Sequence, residues 1–262
     1  MFKTNIRKYG QPDYNIICLH GGPGAVGTMQ PVALKLSERY GVLEALQTSV
    51  SIEGQVSELK DIINNNTRQP VILVGHSYGA WLAYILAAKN PDLVEKIILI
   101  GSPPFEEKYT SEIMNNRLRK LDDKNKTEFV HLLNLLNQSN QKHDKNTLNK
   151  FFKMLTKTDS FSPLPQQSYL LEFRFDIYQK VWQEASNMRK DGSLLELAKN
   201  IYCPIIIIHG NSDPHTAEGV IEPLGRYIIE IKSYIIPKCG HYPWMERYAN
   251  KEFYDILLKE MI

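Results

Sequence analysis

Cysteine is scarce in this chain of 262 residues, which contains only three, at Cys18, Cys203 and Cys239. An odd number at such wide spacing argues against a disulfide framework. Cys18 stands inside a strand pattern, where a thiol serves as a small core side chain. The cysteine pattern therefore indicates a protein with free thiols in a reducing, cytoplasmic setting.

Long apolar runs and a charge bias are also missing. No eighteen apolar residues stand together, and the N-terminal residues 1–8 lack the apolar core of a signal peptide. The net charge is only +2, with acidic and basic residues mixed along the chain, so no basic stripe predicts a nucleic-acid or anionic-membrane partner. No cysteine and histidine cluster has metal-ligand spacing, and no carboxylate pair suggests a metal or glycosidase site, so we expect no cofactor.

Short, nearly all-apolar runs of β-branched residues recur along the chain and alternate with stretches of helical periodicity. Parallel strands covered by helices on both faces have this pattern, and the alternation indicates an α/β fold with right-handed crossovers. The predicted strands are 15–19, 71–74, 97–100, 205–208 and 233–236, with weaker ones at 40–46 and, at an edge, 2–8. The predicted helices of this part are 30–38, 53–65, 79–89 and 216–229.

The alternation stops for about a hundred residues between Gly101 and Cys203. Amphipathic periodicity there predicts helices at 110–120, 127–138, 145–157, 166–188 and 193–199. The sequence therefore divides into a core, 1–105 with 201–262, and a helical insertion, 106–200. The insertion leaves the sheet at the C-terminal end of a strand, where open α/β sheets bind ligands. The aromatic residues that follow Gln166 are accordingly read either as packing or as the lining of a substrate pocket.

Residues 75–79 read Gly-His-Ser-Tyr-Gly, between the apolar run 70–74 and the helical pattern 80–88. A G-x-S-x-G segment between strand and helix is the elbow that presents a nucleophilic serine. The glycines let neighbouring chains pass closely, and the N-terminus of the following helix faces a developing oxyanion. Ser77 is therefore the candidate nucleophile, although a bare match of five residues is also compatible with a plain turn.

A serine nucleophile needs a base, and the base needs an orienting acid, which follow the serine along the chain in the order acid, histidine. Asp213 follows the predicted strand 205–208, and His241 follows the strand 233–236, so both lie on the same rim as Ser77. Asp213 is also compatible with a turn or a helix cap. His215 is the rival base, but its closeness to Asp213 along the chain favours His241.

Residues 20–24 read His-Gly-Gly-Pro-Gly, directly after the predicted strand 15–19. A glycine-rich loop can hold a phosphate, but this one lacks the Lys-Ser/Thr pair of a P-loop. The alternative is an oxyanion hole, in which the backbone N–H groups of Gly22 and Tyr78 meet at the carbonyl oxygen of the substrate.

With these motifs the chain resembles the α/β-hydrolase fold superfamily over nearly its whole length, and its His-Gly-Gly-Pro-Gly segment resembles the oxyanion motif of the proline iminopeptidase-like family. The resemblance implies a triad of Ser77, Asp213 and His241. It also implies that Gly22 and Tyr78 are the oxyanion donors and that residues 106–200 form a helical cap.

Two departures weaken the peptidase assignment. The Asp-x-Arg-Gly-x-Gly-x-Ser segment of the family is missing from 41–48, and Pro214 stands where the peptidases tend to have a glutamate that helps to hold the amino group of the substrate. Glu172 or Glu184 could take that role, although each also reads as a surface residue. We therefore expect a serine hydrolase of a small ester or acyl compound or a short peptide, with an aminopeptidase as the alternative. A ligand-binding or sensor protein on the same fold is the alternative of another class.

Overall fold

A computed structural model describes residues 5–136, 145–165 and 172–262. Its strands are β1 (Ile6–Tyr9), β2 (Tyr14–Leu19), β3 (Ala25–Val26), β4 (Gly41–Ala45), β5 (Thr67–His76), β6 (Val94–Ile100), β7 (Glu172–Phe173), β8 (Ile205–Gly210) and β9 (Ile231–Ile236). Its α-helices are α1 (Gln30–Leu36), α2 (Ile52–Asn66), α3 (Tyr78–Lys89), α4 (Ser111–Arg119), α5 (Asp123–Leu136), α6 (Lys145–Asp159), α7 (Phe175–Lys190), α8 (Ser193–Glu196), α9 (Glu218–Gly225) and α10 (Asn250–Lys259). Short 3₁₀ turns occupy Pro91–Leu93, Glu107–Tyr109, Leu197–Asn200 and Pro243–Met245.

Seven strands form one sheet in the order β1-β4-β2-β5-β6-β8-β9. All neighbours in it are parallel except β1, which pairs antiparallel with β4 at the edge. The predicted α/β fold with a mostly parallel sheet is confirmed. Because β2, β5, β6 and β8 run in the same direction, their carboxyl ends meet at one edge of the sheet, where such folds bind ligands.

Helices cover both faces of the sheet, and the alternation of side chains along each strand supplies both cores. On β2, Ile17 and Leu19 pack with α2, α3 and α7, whereas Ile16 and Cys18 pack with α1 and α10. Cys18 is fully buried, as its strand pattern predicted. The two-sided cover explains why the strands read as continuous apolar runs.

The segment between β6 and β8 contains α4 to α8 and the short strand β7. The predicted helix 166–188 is wrong in its first described part, because Glu172 and Phe173 form a strand and the helix begins at Phe175. The cause is a tertiary contact, since β7 pairs with β3 to form a separate two-stranded sheet. Residues 166–171 of that prediction lie outside the described residues. None of the helices in the described ranges combines the length and the apolar character that crossing a bilayer requires.

Candidate active site

Ser77 occupies the turn between β5 and α3 with φ 52° and ψ −122°. A positive φ is unfavourable for a residue with a side chain and is held only where the surrounding structure enforces it. Here the Ser77 N–H donates to the carbonyl oxygen of Ile100 at 2.9 Å, which ties the turn to the end of β6. Ser77 is partly exposed at the carboxyl edge of the sheet, so its hydroxyl lies where this fold class binds ligands.

The two glycines of the motif make this turn sterically possible. A Cβ atom on Gly75 would overlap the carbonyl oxygen of Gly79, and one on Gly79 would overlap the carbonyl oxygen of Leu19. A Cβ on Gly21, in the loop after β2, would lie 3.0 Å from the Cβ of Ser77. The turn and the glycine-rich loop are therefore in direct contact, at a separation that only glycine permits.

Asp213 and His241 meet at this edge from two different loops. The ring Nδ1 of His241 lies 2.7 Å from Asp213 Oδ2, and both side chains are buried. Burial alone would raise the pKa of Asp213, but His241, His209 and His215 hold it well below the usual range. Burial lowers the pKa of His241, yet the Asp213 carboxylate outweighs burial and leaves that pKa above 6.5. Asp213 is therefore an anion that strengthens the basicity of His241.

The rival base, His215, contacts the other oxygen of the same carboxylate. Its ring Nδ1 lies 3.0 Å from Asp213 Oδ1, and its backbone N–H donates to that atom at 2.9 Å. Burial lowers the pKa of His215 to about 4, although Asp213 opposes the shift. A third histidine, His209, places Nε2 3.4 Å from Asp213 Oδ2 and donates to the His215 carbonyl at 2.6 Å. Asp213 thus forms the turn that was the alternative interpretation of this residue, and it also contacts His241.

Two residues that neighbour the turn of Ser77 in the structure approach His241. Gly101 follows the residue that binds the Ser77 N–H, and a Cβ on it would lie 3.1 Å from His241 Nδ1. The ring of His76, next to Ser77, donates from Nε2 to the His241 carbonyl at 2.9 Å. In the described part of the chain no hydrogen bond joins the Ser77 hydroxyl to either ring. Such bonds are often long before a substrate binds.

The glycine-rich loop is fixed from both sides. Gly22 has φ 40°, and its carbonyl accepts the N–H of Ala25 at 2.7 Å. The Gly24 carbonyl accepts the N–H of Arg174 at 2.9 Å, next to the pairing of β3 with β7. Tyr78 is the first residue of α3, so no carbonyl of its own helix accepts its N–H. The role of the Gly22 and Tyr78 N–H groups as oxyanion donors stays a prediction.

The structure describes the side chain of only one of the two candidate glutamates, Glu184. The backbone of Glu172 pairs with Val26, and its side chain lies outside the described residues. Glu184 Oε2 accepts the N–H of Ile52 at 2.8 Å, at the N-terminus of α2, where a negative charge is favourable. This contact gives Glu184 a structural partner, and its role toward a substrate stays a prediction. Trp182 of the same helix stacks on Trp81 at 5.7 Å, which supports the packing interpretation for this aromatic residue.

Sequence inspection missed two carboxylates beside His241. Asp159 ends α6, and its carbonyl accepts the His241 N–H at 2.7 Å. Glu246 is fully buried and accepts the N–H of Gly240 at 3.0 Å. Neither belongs to a motif, so nothing local in the sequence marks them.

Asp213, His215 and His241 bring possible ligand atoms within 4.8 Å of one another. Both ring Nδ1 atoms already lie at hydrogen-bond distance from the carboxylate. We therefore interpret the group as a hydrogen-bonded cluster and do not assign a metal to it.

Comparison with known proteins identifies the class. Residues 37–248 match the family model described as alpha/beta hydrolase fold, which covers most of the chain, and the protein belongs to this family. It is 21% identical over 251 residues to 2-(acetamidomethylene)succinate hydrolase of Mesorhizobium japonicum, covering 91% of this chain and 84% of that protein. The fold is similar to that of VinJ, with a TM-score of 0.71 and 15% identity over 98% of this chain and 93% of the other. It is also similar to Est816, described as an N-acyl homoserine lactone degrading enzyme, with a TM-score of 0.66 and 16% identity over 98% and 96%.

Proposed function

We propose that the protein is a serine hydrolase that cleaves a carboxylic ester or amide of a small molecule through an acyl-enzyme. The observation that carries this proposal is the strained turn of Ser77 together with the buried pair of His241 and Asp213, which His76, next to Ser77, joins to the turn through the His241 carbonyl. Backbone strain of this kind persists where function requires it. Membership of the alpha/beta hydrolase family supports the same reaction class.

In this mechanism the Ser77 oxygen attacks the carbonyl carbon of the substrate while His241 Nε2 takes the hydroxyl proton. The carbonyl oxygen becomes an oxyanion and is bound by the N–H groups of Gly22 and Tyr78. Loss of one such donor typically costs about 2.7–4 kcal/mol of transition-state stabilisation. The bond to the leaving group then breaks, and His241 returns the proton to that group. Water, activated by His241, attacks the acyl-enzyme and frees Ser77.

Asp213 has two roles in this scheme. Its contact with His241 Nδ1 at 2.7 Å keeps the proton on that nitrogen, so Nε2 is the atom free to accept one. Its charge raises the pKa of His241 and stabilises the imidazolium that forms when Ser77 is deprotonated. Hydrolysis is therefore expected to fall in acid, as His241 becomes protonated before it can act as a base.

A small ester or acyl compound is the favoured substrate, with the insertion 106–200 as a cap over it. Pro214 stands after Asp213, where the peptidases tend to have a glutamate, and Glu184 has a structural partner at the N-terminus of α2, which favours a substrate without a free amino group. The names of two similar proteins concern a small acetamido compound and an N-acyl lactone, which agrees with this choice. The His-Gly-Gly-Pro-Gly loop favours an aminopeptidase as the second candidate. The three free cysteines agree with a cytoplasmic location.

A substrate panel separates these candidates. Aminoacyl-arylamides with free and with blocked N-termini are compared with short and long p-nitrophenyl esters, using Ser77→Ala as the control. We expect turnover of esters or blocked substrates, and none by Ser77→Ala. Activity confined to free-amine substrates would select the aminopeptidase, and hydrolysis that survives in Ser77→Ala would refute the mechanism. Binding without any turnover would favour a ligand-binding protein.

A further inference from the structure

The insertion contacts the loop that carries the base at two consecutive residues of that loop, Gly240 and His241. The Asp159 carbonyl accepts the His241 N–H at 2.7 Å, and a Cβ on Gly240 would overlap the same carbonyl oxygen. Chain 159–162 therefore lies directly on the loop, at a separation that requires glycine at 240. The backbone of His241 is therefore hydrogen-bonded directly to Asp159.

Glu246, a residue of the core, binds both the loop of His241 and the insertion. Its Oε1 accepts the N–H groups of Gly240 at 3.0 Å and of Phe161 at 2.7 Å, and its Oε2 accepts that of Ser162 at 2.7 Å. Glu246 is fully buried, so its carboxylate bonds join the insertion to the loop without competition from water.

The carboxylate of Asp159 is held by one arginine of the insertion. Arg117 Nε lies 2.7 Å from Oδ1, and Nη2 lies 2.8 Å from Oδ2, a two-pronged geometry. The Thr158 hydroxyl donates to Oδ1 at 3.1 Å, and Asp159 is only 1% exposed. Burial raises the pKa of Asp159, but Arg117 outweighs it and keeps the carboxyl below its usual range. A buried pair is weak evidence for stability, and one of its uses is to fix a single arrangement of the chain.

The helix that carries Arg117 also binds the loop of the acid. On α4 the Asn116 amide donates to the Pro214 carbonyl at 3.1 Å. Just after α4, Lys120 Nζ donates to the carbonyls of Ser212 at 2.9 Å and Ser160 at 3.3 Å. These contacts fall on both sides of Asp213. One helix of the insertion therefore spans the acid loop and the residue that anchors His241.

We propose that the Arg117–Asp159 pair positions His241, by holding its loop in register with the loop of Asp213. The inference rests on the proposed function. The two loops leave different strands, β8 and β9, and the Asp213–His241 contact alone does not fix the direction of Nε2. Because a displacement of about 1 Å can cost 100-fold in rate, a rigid anchor for the base has a direct effect on kcat.

The charges of Asp159 and Arg117 also act on the pKa of His241, in opposite directions. The groups that act on the His241 ring are Asp213, His215, His76, Asp159 and Arg117. Asp159 raises the pKa of His241, whereas Arg117 lowers it. Removal of the Asp159 charge therefore shifts the acidic limb of the pH–rate profile to lower pH, which a purely structural defect does not do.

The test uses two variants and measures kcat, KM and the pH profile on the best ester of the panel. For Asp159→Asn we expect kcat about 10–100-fold lower, KM within about 2-fold, and an acidic limb moved to lower pH. Arg117→Lys keeps the charge and loses the two-pronged geometry, so we expect a fall in kcat of the same order with an unmoved limb. Glu107→Gln is the control, because Glu107 also pairs with an arginine of the insertion, Arg189, and no hydrogen bond or ion pair among the described residues joins that pair to the loop of Asp213 or of His241. We expect it to leave all three quantities unchanged.

The result that overturns the inference is a kcat within about 2-fold of the unaltered protein in both variants. A lower kcat in Asp159→Asn with an unmoved limb would overturn it as well. If circular dichroism shows that Asp159→Asn is unfolded, the kcat and KM of Arg117→Lys alone decide whether the inference stands. Ser77→Ala separates this inference from the proposed function. If Ser77→Ala is active, the proposed function is refuted. If Ser77→Ala is inactive while Asp159→Asn and Arg117→Lys keep the activity of the unaltered protein, only the positioning role is refuted.

Discussion

Acid is expected to destabilise this protein through His20, a histidine outside the proposed triad. Its ring is 1% exposed and donates from Nδ1 to the Gly21 carbonyl at 3.0 Å, while Nε2 has no partner among the described residues. Burial, with a smaller effect of Arg7, lowers its pKa from 6.5 to about 4, although the bond to Gly21 opposes the shift. The folded protein therefore resists protonation of His20, whereas the unfolded chain accepts it.

The sign and the size of the effect follow from this pKa. Because the folded value lies below the unfolded one, the stability that comes from neutral His20 is complete above pH 6.5 and is lost as the pH falls toward 4. Between pH 7 and pH 5 the difference in proton binding removes about 2 kcal/mol of the free energy of unfolding. Other buried histidines add to the total loss, so the quantity to measure is the difference made by His20 alone.

Replacement of His20 by asparagine isolates that difference. Asparagine keeps an N–H near the position of Nδ1, so the bond to Gly21 is retained while the titrating ring is removed. Urea unfolding at pH 7 and pH 5 is expected to show that His20→Asn loses about 2 kcal/mol less than the unaltered protein. His131→Asn, at an exposed position of α5, makes the same replacement away from the core and is measured beside it for comparison. Equal losses in His20→Asn and the unaltered protein would refute the argument.

Four further substitutions test the turn, the loop of the base and the choice of base. In Gly79→Ala the added Cβ would overlap the Leu19 carbonyl oxygen, so we expect the free energy of unfolding to fall by about 1–3 kcal/mol or more. Thermal unfolding measures this, and an unchanged melting temperature would contradict the close packing. Lys238→Gly removes a side chain at φ 52° and should raise stability by up to about 1 kcal/mol, so a lower melting temperature would exclude strain there. His241→Asn should lower kcat far more than His215→Asn, and the reverse order would make His215 the base.

The parts of the site that were predictable are those carried by short motifs at strand ends. The strand before Ser77 and the helix after it are visible in the sequence, so the turn was placed correctly. Asp213 follows the buried strand β8 and His241 follows the edge strand β9 of the same sheet, and their meeting at one edge follows from the parallel pairing of the two strands. Their catalytic roles remain predictions. The choice of His241 over His215 came from their distances to Asp213 along the chain and stays a prediction, because both rings contact the same carboxylate in the structure.

The contacts made by the insertion were not predictable. Arg117 and Asp159 are 42 residues apart, and Asp159 and His241 are joined through a carbonyl oxygen, a group that every residue has. The strand β7 was mistaken for helix because its partner lies at Ala25 and Val26, in the glycine-rich loop. In each case the local structure depends on packing between segments that are distant along the chain, and no local sequence pattern predicts such packing.

Covalent labelling of Ser77 tests the central claim most directly. A fluorophosphonate reacts with a serine only where a base and an oxyanion site activate it. The account predicts one adduct on the folded protein, mapped by mass spectrometry to the peptide of Ser77. It also predicts no adduct in Ser77→Ala and much slower labelling in His241→Asn. A folded protein that hydrolyses esters while Ser77 stays unlabelled would contradict the account.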